Sequence, residues 1–170
     1  MKKTKQLAVC AILIALALAL SYTERFIPLQ LLIPLPGVKL GLANIVTLIA
    51  LYLLGTRQAF VILILRCILG AVFGGGITGL LFSLTGGILA MATMAAARKA
   101  PCFSIYGVSI LGAAAHNIGQ ICAAMLLMHS LYIGAYLPYL LSVGLVTGFA
   151  TGGAGAGVLR VLTSIGSRQT

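Results

Sequence analysis

One acidic side chain, Glu24, stands against eleven lysines and arginines in 170 residues, and tryptophan is missing altogether. So small a supply of carboxylates removes whole classes of chemistry. Paired-carboxylate acid–base catalysis needs two, magnesium-dependent diphosphate chemistry needs a cluster, and a proton relay of buried Asp or Glu needs several. The sequence has neither a P-loop nor a Walker-type aspartate, so ATP hydrolysis would have to come from another subunit. Neither enzymatic activity nor a cofactor is expected of these residues. Cysteine is scarce too. Cys10, Cys67, Cys102 and Cys122 form no CxxC pair and have no histidine at ligand spacing. That pattern reads as small packing residues, with neither a metal site nor a disulfide framework.

Charge of either sign is sparse at 7%, whereas 61% of the residues are hydrophobic and the mean hydropathy is +1.18. A water-soluble domain of this composition would have almost nothing polar to cover its surface. The expected class is an all-α integral membrane protein, multi-pass, in the cytoplasmic (inner) membrane. A net charge of +10 in a soluble chain would suggest a nucleic-acid partner. Here the basic residues fall between apolar stretches, where they set topology and meet anionic lipid headgroups, so no nucleic-acid partner is expected. The start, MKKTKQLAVCAILIALALAL, has the shape of a secretory signal, but the many apolar segments after it make a first transmembrane anchor the simpler reading.

A spanning helix needs about 20 mostly apolar residues. The sequence predicts a single membrane domain over 1–170 with helices near 6–22, 38–54, 58–73, 77–97, 105–128 and 138–161. Gly55, Thr56 and Arg57 form a turn between the second and third. Lys2, Lys3, Lys5, Arg57, Arg98, Lys99, Arg160 and Arg168 flank one side of this scheme, and Arg25 and Lys39 the other. This bias places both termini in the cytoplasm and requires an even number of spans. The outer connection, residues 23–39, carries Pro28, Pro34 and Pro36 among Leu and Ile. It reads either as a lid across the outer mouth of the bundle or as a loop dipping into the headgroups. Ala11, Ala15 and Ala19 repeat at intervals of four in the first helix, as Gly144, Gly148 and Gly152 do in the sixth. Such stripes mark close helix packing, and the alanine stripe also suits a partner protein. The GGAGAG cluster at 152–157 lacks the strand context and spacing of a dinucleotide fingerprint.

The polar residues inside these segments are few enough to be informative. Arg66 lies about 13 Å along a helix from Arg57, near the middle of a hydrocarbon core about 30 Å thick. A guanidinium there costs at least about 2.5 kcal/mol and must face the bundle interior. His116, at about the same depth, shares a helix face with Gln120, and Asn117 lies one step round. Asn44 and Thr47, three apart, face one direction on the second helix. Two readings stand side by side. One is an interhelical hydrogen-bond network, with His116 a satisfied neutral imidazole. The other is an outward-opening cavity in which Arg66 and Lys39 receive a carboxylate or phosphate, with His116, Asn117, Gln120, Asn44 and Thr47 among its binding residues.

The stretches PGVKLGLANIVTLIALYLLG at 36–55, Arg66-Cys-x-x-Gly70 and GVSILGAAAHNIGQ at 107–120 resemble the Gx transporter family, also described as heptaprenyl diphosphate synthase component I. The similarity covers nearly the whole chain, and the KLGLAN and AHNIGQ motifs are specific. The aspartate-rich motifs of prenyl synthases are absent, so the resemblance implies no synthase chemistry. That family is in turn similar in architecture to the S components of energy-coupling factor transporters. This likeness implies six helices, residues 23–39 as a lid, and Ala11, Ala15 and Ala19 as the surface that docks a transmembrane coupling subunit served by separate ATPases. It implies a small-molecule substrate of the vitamin class, with an isoprenoid or quinone precursor or a flavin as candidates. A function of another class remains open: a non-transporting membrane subunit of an isoprenoid-diphosphate or redox complex.

Overall fold

The computed structural model describes residues 3–26, 39 and 41–167, and no strand occurs among them. Lys2, Arg168 and most of the 23–39 connection (residues 27–38) lie outside the described residues, as do the side chains of Arg25 and 165–167.

The chain enters as α1 (Lys3–Thr23), which ends in a short 3-10 turn, Glu24–Phe26. The helix predicted over 38–54 is shorter, α2 (Asn44–Leu53), because Gly41 at φ 83° and a turn at Leu42–Ala43 keep the chain out of helix until Asn44. Gly55, at φ 91°, then reverses the chain, a conformation that glycine reaches without a Cβ penalty. The next helix, α3 (Thr56–Gly70), runs through a π-type turn, Ala71–Gly75, into α4 (Gly76–Ala97). Non-helical dihedrals at Phe73 and Gly74 break the run, and Gly87 of α4 lies against Leu63 and Arg66 of α3. The second half of this stretch therefore folds back along the first. After a loop capped by Ser104, whose side chain accepts from the Gly107 N–H, comes α5 (Ile105–Met128). A 3-10 turn, Leu131–Tyr136, leads into α6 (Leu137–Ser167).

Four helical stretches among the described residues are long and apolar enough to cross a membrane: Lys3–Thr23, Thr56–Ala97, Ile105–Met128 and Leu131–Ser164. At ten residues α2 is shorter than a spanning helix needs. Large apolar side chains such as Leu7, Val72, Ile77, Leu126 and Val146 lie on the outside. In water that arrangement would drive aggregation, while in lipid it is the solvated state. The protein is membrane-embedded.

Glycines set how closely the helices approach. A Cβ on Gly119 of α5 would meet the Thr85 carbonyl oxygen at 2.7 Å and Gly86 Cα at 2.8 Å, so α4 and α5 touch backbone to backbone. Along α6, Gly144 faces Asn117 and Ala113, Gly148 faces Ile110, and Gly152 faces Tyr106 and Ser109. The three rungs fall in opposite sequence order on the two helices, so α5 and α6 are antiparallel, and the glycine stripe is an internal packing surface. At the other side of the bundle Arg98 donates from Nη1 to the Leu51 carbonyl and lies over the Tyr52 ring, 4.8 Å from its centroid. This ties the end of α2 to the end of α4.

Two apolar clusters result. Leu48, Leu51, Ile62, Leu63, Met91, Met94 and Val108 fill one, and Phe82, Ile121, Ala124, Ile133 and Leu140 the other. Along α5 the order is Val108, then His116 and Gln120, then Ile121 and Ala124. A polar layer thus lies between two oily ones.

Candidate ligand-binding cavity

Arg66, near the end of α3, is buried, with 6% of its surface exposed. Its Nη2 donates to Asn44 Oδ1 at 3.1 Å, while its buried Nε has no hydrogen-bond partner. Asn44 is held in place by the turn before α2, where its N–H donates to the Gly41 carbonyl at 2.8 Å. Thr47, one turn further on, is buried with its hydroxyl unpartnered. The structure thus brings Arg66 and Asn44 together and leaves the guanidinium only partly satisfied.

Lys39 joins the same layer from outside the helices. Its Nζ donates to Ser83 Oγ of α4 at 3.1 Å. Its backbone is gripped by Gln120. With the amide oxygen accepting from the Lys39 N–H (3.1 Å) and from His116 Nε2 (3.2 Å), the amide nitrogen donates to the Lys39 carbonyl (3.0 Å). We assign this orientation because it satisfies both ends of the Gln120 amide, whereas the reverse keeps only the Lys39 N–H, at 3.3 Å. His116 is itself pressed against Gly86, where a Cβ would come within 2.8 Å of Nδ1. His116 and Gln120 therefore act on the position of Lys39.

Asn117 goes elsewhere. Its amide donates to the Leu140 carbonyl at 2.6 Å and abuts Gly144, in the α5–α6 seam. Of the residues predicted to bind ligand, Lys39 and Arg66 line a cavity beside α1, and Asn44, Thr47, His116, Asn117 and Gln120 stand behind or away from its wall.

That cavity has a volume of about 400 Å³ and lies among α1, the end of α3, the π-type turn and the start of α4. Arg66, Lys39 and Ser83 supply its polar side. Leu18, Ala71 and Phe73 are among its apolar walls. Ala15 and Ala19 line it as well, while both remain exposed on the outer face of α1 together with Ala11. The alanine stripe therefore borders the cavity. Ala11 lines a separate groove with Lys3, Leu7 and Arg57.

Glu24 completes the electrostatic picture. Although it directly follows α1, it is 5% exposed, and its carboxylate accepts from the Leu42 N–H. Burial raises its pKa above the ordinary carboxylate value, and the Leu42 N–H, Lys39 and Arg66 oppose that shift. Sequence reasoning missed Ser83 and the bond between Glu24 and Leu42. Ser83 could have been found from the small-residue face of α4, where Gly79, Ser83, Gly86, Gly87 and Ala90 recur at helical spacing. Among the described residues no group of three His, Cys, Asp or Glu is placed to hold a metal ion.

This arrangement can hold an anion against a fixed guanidinium and an ammonium at the edge of an apolar chamber. The family model described as heptaprenyl diphosphate synthase component I matches residues 13–158, which include every residue of this polar layer. Neither a curated protein nor a solved structure matches the chain. With most of its length covered by that match, the chain belongs to the heptaprenyl diphosphate synthase component I family.

Proposed function

We propose that this protein is the substrate-binding membrane subunit of an uptake system that captures a small anionic or amphipathic metabolite and relies on separate ATPase subunits. In this reading the chain crosses the membrane six times with both termini in the cytoplasm. The return of α4 along α3 and the collection of Lys3, Lys5, Arg57, Arg98, Lys99 and Arg160 at one end of the bundle support that topology. The cavity then lies at the opposite, outer end. The observation that carries the reading is Arg66: a buried cation with an unpartnered Nε, bonded to a neutral amide, at the wall of a chamber of about 400 Å³. A guanidinium at that depth is costly without an anion, so it fits a site built to receive one. A vitamin, a flavin or an isoprenoid or quinone precursor suits the mixed walls. The chain itself performs no chemistry. The exposed alanines of α1 serve as the docking surface for a coupling subunit.

Native mass spectrometry of protein extracted gently from its own membrane tests this. The expected result is a retained small molecule in the wild type that is absent from Arg66→Gln. A wild type carrying nothing, or a variant carrying the same molecule, overturns the reading. The family's description as a synthase component favours a second reading, a non-transporting subunit of an isoprenoid-diphosphate complex. Co-purification of a prenyl synthase rather than ATPases would select it.

A further inference from the structure

Glu24 is the chain's one acidic side chain, and the fold buries it. Its carboxylate accepts from the Leu42 N–H, and the Gly41 N–H also faces it. The same short stretch carries Lys39 into the cavity two residues earlier and presents Asn44 to Arg66 two residues later. The charges of both Lys39 and Arg66 act on Glu24. One polar layer therefore gathers two basic side chains and one carboxyl group, with His116 Nε2–H donating to Gln120.

A carboxylate is a costly way to tie down a turn. The amide oxygen of a glutamine would accept from the Leu42 N–H equally well without a buried charge. What a glutamine could not do is cancel one of the two positive charges beside the cavity. With Glu24 ionised, the form that the Leu42 and Gly41 N–H groups and the two neighbouring basic side chains favour against burial, the layer itself carries one net positive charge, and an incoming group with one negative charge makes the whole assembly neutral. A dianion would leave a net negative charge in a site walled by Leu18, Ala71 and Phe73, where uncompensated charge is poorly solvated.

We infer that Glu24 sets the charge of the ligand: the cavity takes a monoanionic head, such as a carboxylate, attached to an apolar body, and discriminates against a phosphate-monoester dianion. This rests on the binding role proposed above and narrows its substrate class. It also counts against a diphosphate as the occupant.

The test uses the full chain in lipid nanodiscs at pH 8, titrated calorimetrically with phenylacetate, phenyl phosphate and neutral benzyl alcohol. Phenylacetate is expected to bind at least about tenfold more tightly than phenyl phosphate, and benzyl alcohol more weakly than phenylacetate. Glu24→Gln, which keeps the acceptor for Leu42, is expected to move the carboxylate-to-phosphate ratio at least about tenfold towards phosphate. Arg66→Gln loses both anions. A wild type that prefers phenyl phosphate, or a folded Glu24→Gln protein with an unchanged ratio, overturns the charge rule while Arg66-dependent binding leaves the cavity's role standing. A wild type that binds neither anion brings down both. The wild-type ratio decides the matter even where Glu24→Gln fails to fold.

Discussion

Arg66 meets Asn44, not a carboxylate: Nη2 to Oδ1 is 3.1 Å, and both residues are buried. A neutral amide can orient a guanidinium without cancelling its charge, which leaves the cation available to a ligand.

Asn44→Asp tests that distinction. The substitution is nearly isosteric and keeps the acceptor, so the helical fold is expected to survive. It gives Arg66 a permanent counter-ion, so anion affinity is expected to fall at least about tenfold. Asn44→Leu removes the acceptor and leaves another donor of Arg66 unsatisfied, which should cost about 2 kcal/mol of stability. Thermal unfolding and ligand titration of the two variants, read together, check both outcomes. Unchanged anion affinity in a folded Asn44→Asp protein would show that Arg66 does not receive the ligand.

The close approach of α4 and α5 gives a prediction independent of any ligand. Gly119→Ala puts a methyl within 2.7 Å of the Thr85 carbonyl oxygen and 2.8 Å of Gly86 Cα, and neither backbone atom can swing away. The expected loss is about 1–3 kcal/mol, read as a lower unfolding temperature in nanodiscs. Gly153→Ala is the control, because its methyl would meet the Tyr106 ring at an ordinary 3.6 Å. Equal behaviour of the two variants would contradict the backbone contact.

Much of this arrangement was legible in the sequence because membrane burial is written in composition. With so few polar residues inside apolar segments, counting along each helix placed Arg66 and His116 at one depth, and the structure sets both in the polar layer. The helix 105–128 has the predicted limits because Ser104 supplies a side-chain cap and His129 ends it in a left-handed conformation. What sequence could not resolve was the direction of polar groups around a helix. Asn117 and Gln120 both read as binding residues, yet the single step of about 100° from His116 turns Asn117 to Leu140, while Gln120, on the face of His116, reaches Lys39. The shortened α2 was hidden too, since KLGLAN is apolar enough to continue a helix and only the positive φ at Gly41 shows why it does not.

Asn117 should therefore separate from the binding residues in a mutational series. Asn117→Ala loses a bond from α5 to the Leu140 carbonyl. Stability is expected to drop by about 1 kcal/mol, with ligand affinity unchanged within about twofold. Gln120→Ala is expected to do the reverse. It releases the Lys39 backbone, and affinity falls through a misplaced ammonium. Titration of both variants with one ligand checks the split, and a large affinity loss in Asn117→Ala would place that residue in the site after all.

The alanine stripe on α1 has two duties in the proposed function, and the structure indicates how to separate them. Ala15 and Ala19 line the cavity, so a bulky group at Ala15 obstructs the chamber as well as the outer face of the helix. Ala11 is exposed on the same face, one turn nearer the basic end, and is absent from the cavity wall. Small residues permit a partner helix to approach closely, and a tryptophan there would hold it off. Ala11→Trp is therefore expected to abolish association with a coupling subunit and leave ligand affinity intact, whereas Ala15→Trp should impair both. Pull-down of the partner and ligand titration, measured on each variant, give four results. Loss of partner binding in Ala15→Trp without loss in Ala11→Trp would confine the docking surface to the outer half of α1, and retention in both would remove the stripe from the interface entirely.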